Sequence, residues 1–349
     1  MVQPEFDQHR VRQTLYVHGN GDVDHVSLCS GLQQKLGEKG IRALVVTESG
    51  KFLENISKFN SGHVVPVEIY SSRKRESGKI RSADLLAVNG LPRFYKDYDL
   101  VLVAVEEHGD NKTIDIRQNL QKESGFAFTF DKGFGVGELL REITDWLDRQ
   151  TRKGPVWGCV IIGGKSSRMG RPKHLIEDTS GKTWLERTVD VLLECTDQIV
   201  IAGKGDLPQS CSDYIHLPDI DGAQGPIAGI LSALRWNPDV SWIVAACDMP
   251  KIRKEAIEWL LSSRRAGVWG AVPYNLNTQR YEPLLAYYSF HSVALFEKLY
   301  HSGVRRISKI CDGEKIIFPE IPEGLSSSWR NCNTPDDIDD EGETEGNLL

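Results

Sequence analysis

Cysteine is sparse and unpaired in this chain: the seven residues, at 29, 159, 195, 211, 247, 311 and 332, form no Cys-x-x-Cys. An odd number with no framework excludes a disulfide scaffold and reads as reduced thiols in a cytoplasm. Cys159 and Cys247 fall inside apolar strand patterns, where cysteine acts as a small core residue. No apolar run approaches the roughly 20 residues of a membrane span, so no membrane association is expected. The first ten residues lack the apolar stretch of a secretory signal, which again points to a cytoplasmic protein. A basic excess is missing too. The net charge is −7, and Asp336, Asp337, Asp339, Asp340, Glu341, Glu343 and Glu345 account for it. Taking these seven from the 49 acidic residues leaves 42, equal to the 42 Lys and Arg, so the rest is near neutral. The single basic cluster, Arg73-Lys-Arg with Lys79 and Arg81, reads as a solvated loop, and no nucleic-acid partner is expected. The tail, 339–349, reads as an acidic, disordered extension.

With 349 residues, 40% of them hydrophobic and 26% charged, the composition is that of a globular protein with two domains. The boundary is expected at 150/151, because Arg149-Gln-Thr-Arg-Lys-Gly-Pro155 is short, polar and ends in Gly-Pro, as linkers do. The second domain is expected over 151–338. In the first, residues 13–20 read as a strand, 24–39 as a helix carrying Val26, Leu28, Leu32 and Leu36, and 41–47 as the next strand. Asp97–Val105 reads as another central strand, and Val136–Gln150 as a helix with Leu139, Leu140, Ile143 and Leu147 on one face. His18 and His25 are too weak a pair to argue for a metal.

The richest stretch runs from Val156 to Lys173. Val156–Ile162 is an apolar run that reads as a buried strand. It leads into Gly163-Gly-Lys-Ser-Ser-Arg-Met-Gly-Arg-Pro-Lys173. Gly163 and Gly164 let the backbone approach a ligand closely. Backbone N–H groups there, backed by Lys165, Arg168, Arg171 and Lys173, suit a polyphosphate. A helix over Thr183–Cys195, a strand at Gln198–Ala202 and the alternation through Val244 predict a mostly parallel α/β sheet. Ligands then collect at the C-terminal ends of the strands.

Five further motifs lie downstream. In Leu217-Pro-Asp219-Ile-Asp221-Gly-Ala-Gln-Gly225-Pro226-Ile-Ala-Gly229, Gly225-Pro226 sets a turn and Asp219 can accept hydrogen bonds from a base or ribose. Trp242–Ala246 ends in Cys247-Asp248-Met-Pro250, which places a hard oxygen donor for Mg²⁺ at the sheet edge, or an N-cap for the next helix. Arg280-Tyr-Glu282-Pro283 and Gly303-Val-Arg305-Arg306 carry charges that either face a ligand or cap a turn and meet solvent. Arg330-Asn331-Cys-Asn333-Thr334-Pro335 offers side-chain amides that donate and accept, or a cap for a helix begun by Pro335.

These motifs, over about 156–338, resemble the molybdenum cofactor guanylyltransferases (MobA type), which have a Rossmann-like nucleotidyltransferase fold. The first domain resembles the P-loop accessory protein (MobB type) sometimes fused to them. Its turn, His18-Gly-Asn-Gly-Asp-Val-Asp-His25, lacks the P-loop lysine and the Ser/Thr that ligates magnesium. The resemblance implies transfer of GMP from GTP to the phosphate of molybdopterin, with Mg²⁺ as cofactor. Lys173, Arg168 and Asp248 would be catalytic, with Asp248 holding the metal. Ile161, Ile162, Gly163, Gly164, Lys173, Asp219, Gly225 and Asp248 would bind GTP. Glu282, Arg305, Arg306, Asn331 and Asn333 would bind molybdopterin. A molybdenum insertion protein or recipient molybdoenzyme would be the protein partner. Ile161-Ile162 departs from the family's Leu-Ala, and Ala202-Gly203 stands where an Asn-containing segment often meets nucleotide. A cytidylyltransferase or sugar-phosphate nucleotidyltransferase of the same fold, or a non-catalytic cofactor carrier, remains the alternative.

Overall fold

A computed structural model describes residues 14–19, 25–39, 41, 43–47, 64–66, 100–105, 128–130, 136–163, 171–223 and 225–332. Several sequence readings lie outside these residues. They are Asp22, Asp24 and the rest of the turn after the first strand, the basic cluster near Arg73, the loop with Gly164, Lys165 and Arg168, and everything from Asn333 onward. The chain divides into two compact units, Met1–Asp148 and Arg149–Leu349.

In the first unit five strands are described: β1 (Thr14–Gly19), β2 (Ala43–Thr47), β3 (Val64–Pro66), β4 (Leu100–Val105) and β5 (Phe128–Phe130). They form one parallel sheet in the order β3-β2-β4-β1-β5. The strand–helix–strand reading of 13–47 corresponds to β1, α1 (His25–Glu38) and β2, with Leu32 and Leu36 fully buried. β1 and β2 are not neighbours, because β4 lies between them.

Helix α2 (Val136–Lys153) continues through the residues expected as a linker. The cause is Arg264, whose buried guanidinium donates to the carbonyl of Thr151 and, at 2.7 Å, to that of Gly154. A cation on the last carbonyls of a helix satisfies acceptors that the helix itself leaves open.

The second unit is built on β6 (Val156–Ile161), β7 (Gln198–Ala202), β8 (Ile215–Leu217) and β9 (Ser241–Ala246). These four are parallel in the order β9-β6-β7-β8. β13 (Leu285–Tyr288) then pairs antiparallel with β9, and the two-residue strands β10 (Gly270–Ala271) and β14 (Ile316–Ile317) complete a mixed sheet. A small hairpin, β11 (Tyr274–Asn275) with β12 (Arg280–Tyr281), stands apart. Alternate residues of the strands feed two cores. Val160, Ile201 and Ile243 pack with α3 (Trp184–Leu193) and α5 (Lys254–Ser262). Cys159, Val200 and Val244 pack with α4 (Pro226–Trp236) and α6 (Val293–His301). The α3 start is fixed by a capping box in which Thr183 Oγ1 accepts from Glu186 N and Glu186 Oε2 accepts from Thr183 N. Such a cap contributes about 1 kcal/mol.

From β6 the chain moves outward to β7 and β8, then returns to place β9 on the other side of β6. That reversal opens a crevice beyond the carboxyl ends of β6 and β9. Among the described residues no helix is long and apolar enough to cross a membrane, and cysteines 159, 195, 211, 247 and 311 are free thiols. Burial pushes the Cys159 and Cys247 thiols up to about 12.

Candidate nucleotide edge and acceptor cavity

At the crevice, three strand ends interlock through their backbones. Ile162 N donates to Ala202 O at 2.9 Å, and Cys247 N donates to Ile161 O at 3.3 Å. The Ile161 carbonyl and Ile162 amide are therefore engaged with neighbouring strands. Gly163, the next residue, is exposed with φ +95°. Gly203, with φ +124°, ends β7, and a Cβ there would lie 2.0 Å from Ile162 O. Only glycine fits that junction. The Gly203–Asp206 turn is pinned by two side chains absent from the sequence reading. His174 Nε2 pairs with Asp206 O at 3.0 Å, and His216 Nε2 with Gly203 O at 2.9 Å. Burial lowers the His174 pKa, which favours the neutral ring as donor to that carbonyl.

Lys173 opens a short 3-10 turn after Pro172, and its Nζ lies 2.8 Å from Asp248 Oδ2. Both side chains are partly covered, 18% and 23% exposed. Asp248 comes after β9 but caps no helix: α5 begins at Lys254 with Arg253 at its N-cap position. Asp219, past the end of β8, is half-buried. At 4.7–4.9 Å per strand, β8 stands roughly 10 Å from β6 along the same edge. Gly225 has φ +70° and leads directly into α4. One turn on, Gly229 brings that helix against the sheet, where a Cβ would meet Ile161 Cδ1 at 3.0 Å.

Beyond β9 lies a cavity of about 380 Å³. Glu282, Arg305, Arg306 and Asn331 line it together with Met249 and Pro226. Residues of five separate motifs are brought together here. Glu282 precedes β13, and because β13 runs antiparallel to β9, with Leu285 opposite Ala245, its start reaches the carboxyl end of β9. Arg305 and Arg306 come after Gly303, whose φ of +67° ends α6 in a glycine cap. Asn331 is held by its neighbour, since Cys332 N donates to Asp248 O at 2.9 Å. Pro226 brings in the Gly225 turn. Met249, Leu284 and Ser308 also face the cavity; Met249 sits inside a quoted motif, Leu284 directly follows Pro283, and Ser308 stands two residues past Arg306.

The charges of the cavity are unusual. Among the described residues no hydrogen bond or ion pair engages the Glu282 carboxylate, whose own amide donates to Pro273 O. Burial pushes its pKa up to about 7, partly opposed by Arg280. No group of three or more His, Cys, Asp or Glu among the described residues could enclose a metal. An ion at this edge would rest on Asp248 and draw its other ligands from a substrate.

Residues 158–315 match the model of the MobA-like NTP transferase domain. The chain is 31% identical over 194 residues to a probable molybdenum cofactor guanylyltransferase of Opitutus terrae, which covers 53% of this chain and 93% of that protein. It is 29% identical over 188 residues to a molybdenum cofactor biosynthesis bifunctional protein of Synechocystis, and spans about half of that relative, 52%. Among solved structures, molybdopterin-guanine dinucleotide biosynthesis protein A from Archaeoglobus fulgidus shares 28% identity with a TM-score of 0.45, over 53% of this chain and 95% of that one.

Proposed function

The chain belongs to the MobA-like NTP transferase family, and on that premise we propose that it is a molybdenum cofactor guanylyltransferase. An oxygen of the molybdopterin phosphate attacks the α-phosphorus of GTP. The new P–O bond forms as the bond to the β-phosphate oxygen breaks, and pyrophosphate leaves. Such chemistry needs position and charge neutralisation more than a covalent intermediate. The attacking phosphate is already ionised, so no general base is required.

Lys173, with Arg168 from the preceding loop, holds the triphosphate and stabilises charge developing on the leaving pyrophosphate. Gly163 and Gly164 present main chain to the base, and Asp219 and the Gly225 turn complete the nucleotide edge. A magnesium ion bound through Asp248 and phosphate oxygens would supply further charge neutralisation, in keeping with its habit of using one or two carboxylates plus substrate. Arg305 and Arg306 take the acceptor's phosphate, and Glu282, Asn331 and Asn333 take its pterin. The single observation that carries this reading is the cavity. Glu282, the Arg305-Arg306 pair and Asn331, from three separate stretches of sequence, converge on it, next to the turn that carries Asp248. The first unit is read as a diverged accessory domain of the MobB type, with a docking role toward a molybdenum insertion protein or recipient molybdoenzyme.

The test is pyrophosphate release by purified protein with Mg²⁺, molybdopterin and each of the four NTPs, with sugar phosphates as control acceptors. Release only with GTP and molybdopterin is expected. Release with CTP, or with a sugar phosphate, would replace this reading by one of its relatives.

A further inference from the structure

Glu282 is the anionic residue among five polar residues lining a cavity that also carries Arg305, Arg306, Ser308 and Asn331. A carboxylate half-withdrawn from water and left without a donor is costly, so such a group is expected to meet one when the cavity fills. The arginines reach the cavity from the loop after α6, whereas Glu282 comes from the turn before β13. Arg280, on β12, is the cation that acts on Glu282 electrostatically. Asn331 contributes no charge. The cavity thus offers two cations for a phosphate and one acceptor-only carboxylate for a donor-bearing group.

Resting on the guanylyltransferase reading, we propose that Glu282 recognises the acceptor's heterocycle: its two oxygens accept the adjacent ring N–H and 2-amino N–H of a 2-amino-4-oxo pterin, and a proton leaves Glu282 as they do. Two parallel N–H···O bonds to an ionised carboxylate are both strong and geometrically selective. A sugar phosphate has no such pair of coplanar donors, so Glu282 is a specificity-determining residue. Guanine carries the same edge, but the nucleotide side of the crevice is formed by β6 and β7, on the far side of β9 from β13. Burial raises the Glu282 pKa to about 7, so binding that needs the ionised carboxylate is linked to proton release.

Titration calorimetry with 6-hydroxymethylpterin monophosphate, in two buffers of different ionisation enthalpy, tests this. Wild-type protein at pH 6.5 is expected to release a substantial fraction of one proton. It should bind the probe roughly 5- to 10-fold more tightly at pH 7.5 than at pH 6. Glu282→Gln should remove most of the proton release and of the pH dependence, leaving the part that belongs to the probe's phosphate with its second pKa of about 6, and weaken binding by about 10-fold or more, with GTP affinity unchanged. Unaltered proton release in Glu282→Gln, no binding of the probe to wild type, or a loss confined to GTP would each overturn the proposal. Guanylyl transfer to molybdopterin is followed in parallel on both proteins. Transfer by wild type with an unchanged acceptor KM in Glu282→Gln removes the role of Glu282 alone, whereas no transfer by wild type removes the wider reading.

Discussion

The two sides of the crevice are prepared for ligands in opposite ways. On the nucleotide edge the charged groups neutralise each other, Lys173 against Asp248 at 2.8 Å, and the rest is backbone locked by glycine at 163 and 203. In the acceptor cavity the polar side chains face open space, and Glu282 has no described partner. A preset edge suits a ligand that is always the same, as the proposed triphosphate is. An open cavity with unsatisfied side chains draws its selectivity from the ligand that satisfies them.

The contrast is put under most stress at Lys173 and Asp248. Alanine at either should lower kcat by about 10²- to 10³-fold, the range for removing a group that stabilises transition-state charge. A pyrophosphate assay within tenfold of wild type would mean the pair is only structural. In the cavity the loss should appear elsewhere: Arg305→Ala with Arg306→Ala should raise the acceptor KM by about 10- to 100-fold with the GTP KM unmoved. A change in both constants would show that the two sides are not separate.

Backbone presetting is probed by Gly203→Ala, which forces a Cβ against Ile162 O at 2.0 Å and φ +124° on an L-residue. It should cost about 2 kcal/mol or more in denaturant unfolding and weaken GTP binding. Gly324→Ala, with nothing within 4 Å, should stay within about 0.5 kcal/mol.

The smallest effect is on stability against pH. Glu282 has its folded pKa raised to about 7 from an ordinary 4.5. Its contribution is therefore fully present below about pH 4.5 and is lost as pH rises through about 7. Glu282→Gln should remove that decline and melt slightly higher than wild type at pH 8. Parallel melting curves from pH 5 to 8 would contradict the burial of Glu282.

Much of this site is legible in the sequence because its parts lie at the ends of apolar runs. Val156–Ile162 and Trp242–Ala246 announce strands, and the residues just past them, Gly163 and Asp248, must emerge at the sheet edge. Sequence does not show which strand lies beside which. Leu285–Tyr288 looks like any other buried strand, yet its antiparallel pairing with β9 is what brings Glu282 to the carboxyl end of β9. The same limit explains Ile161 and Ile162, whose backbone is engaged by Cys247 and Ala202, residues distant in the chain. Polar composition likewise suggests a linker at 149–155, whereas the acceptors there are satisfied by Arg264, more than a hundred residues on. The two histidines that pin the Gly203–Asp206 turn leave no pattern at all, because each acts alone on a carbonyl.

In the proposed reaction one crevice joins these two sides in a single transfer. GTP labelled with ³²P at the α-phosphate, incubated with the protein, Mg²⁺ and molybdopterin, tests it directly. The label should move to a pterin–guanine dinucleotide in step with pyrophosphate release. Molybdopterin that binds while the label stays in GTP would contradict transfer and leave a carrier in its place.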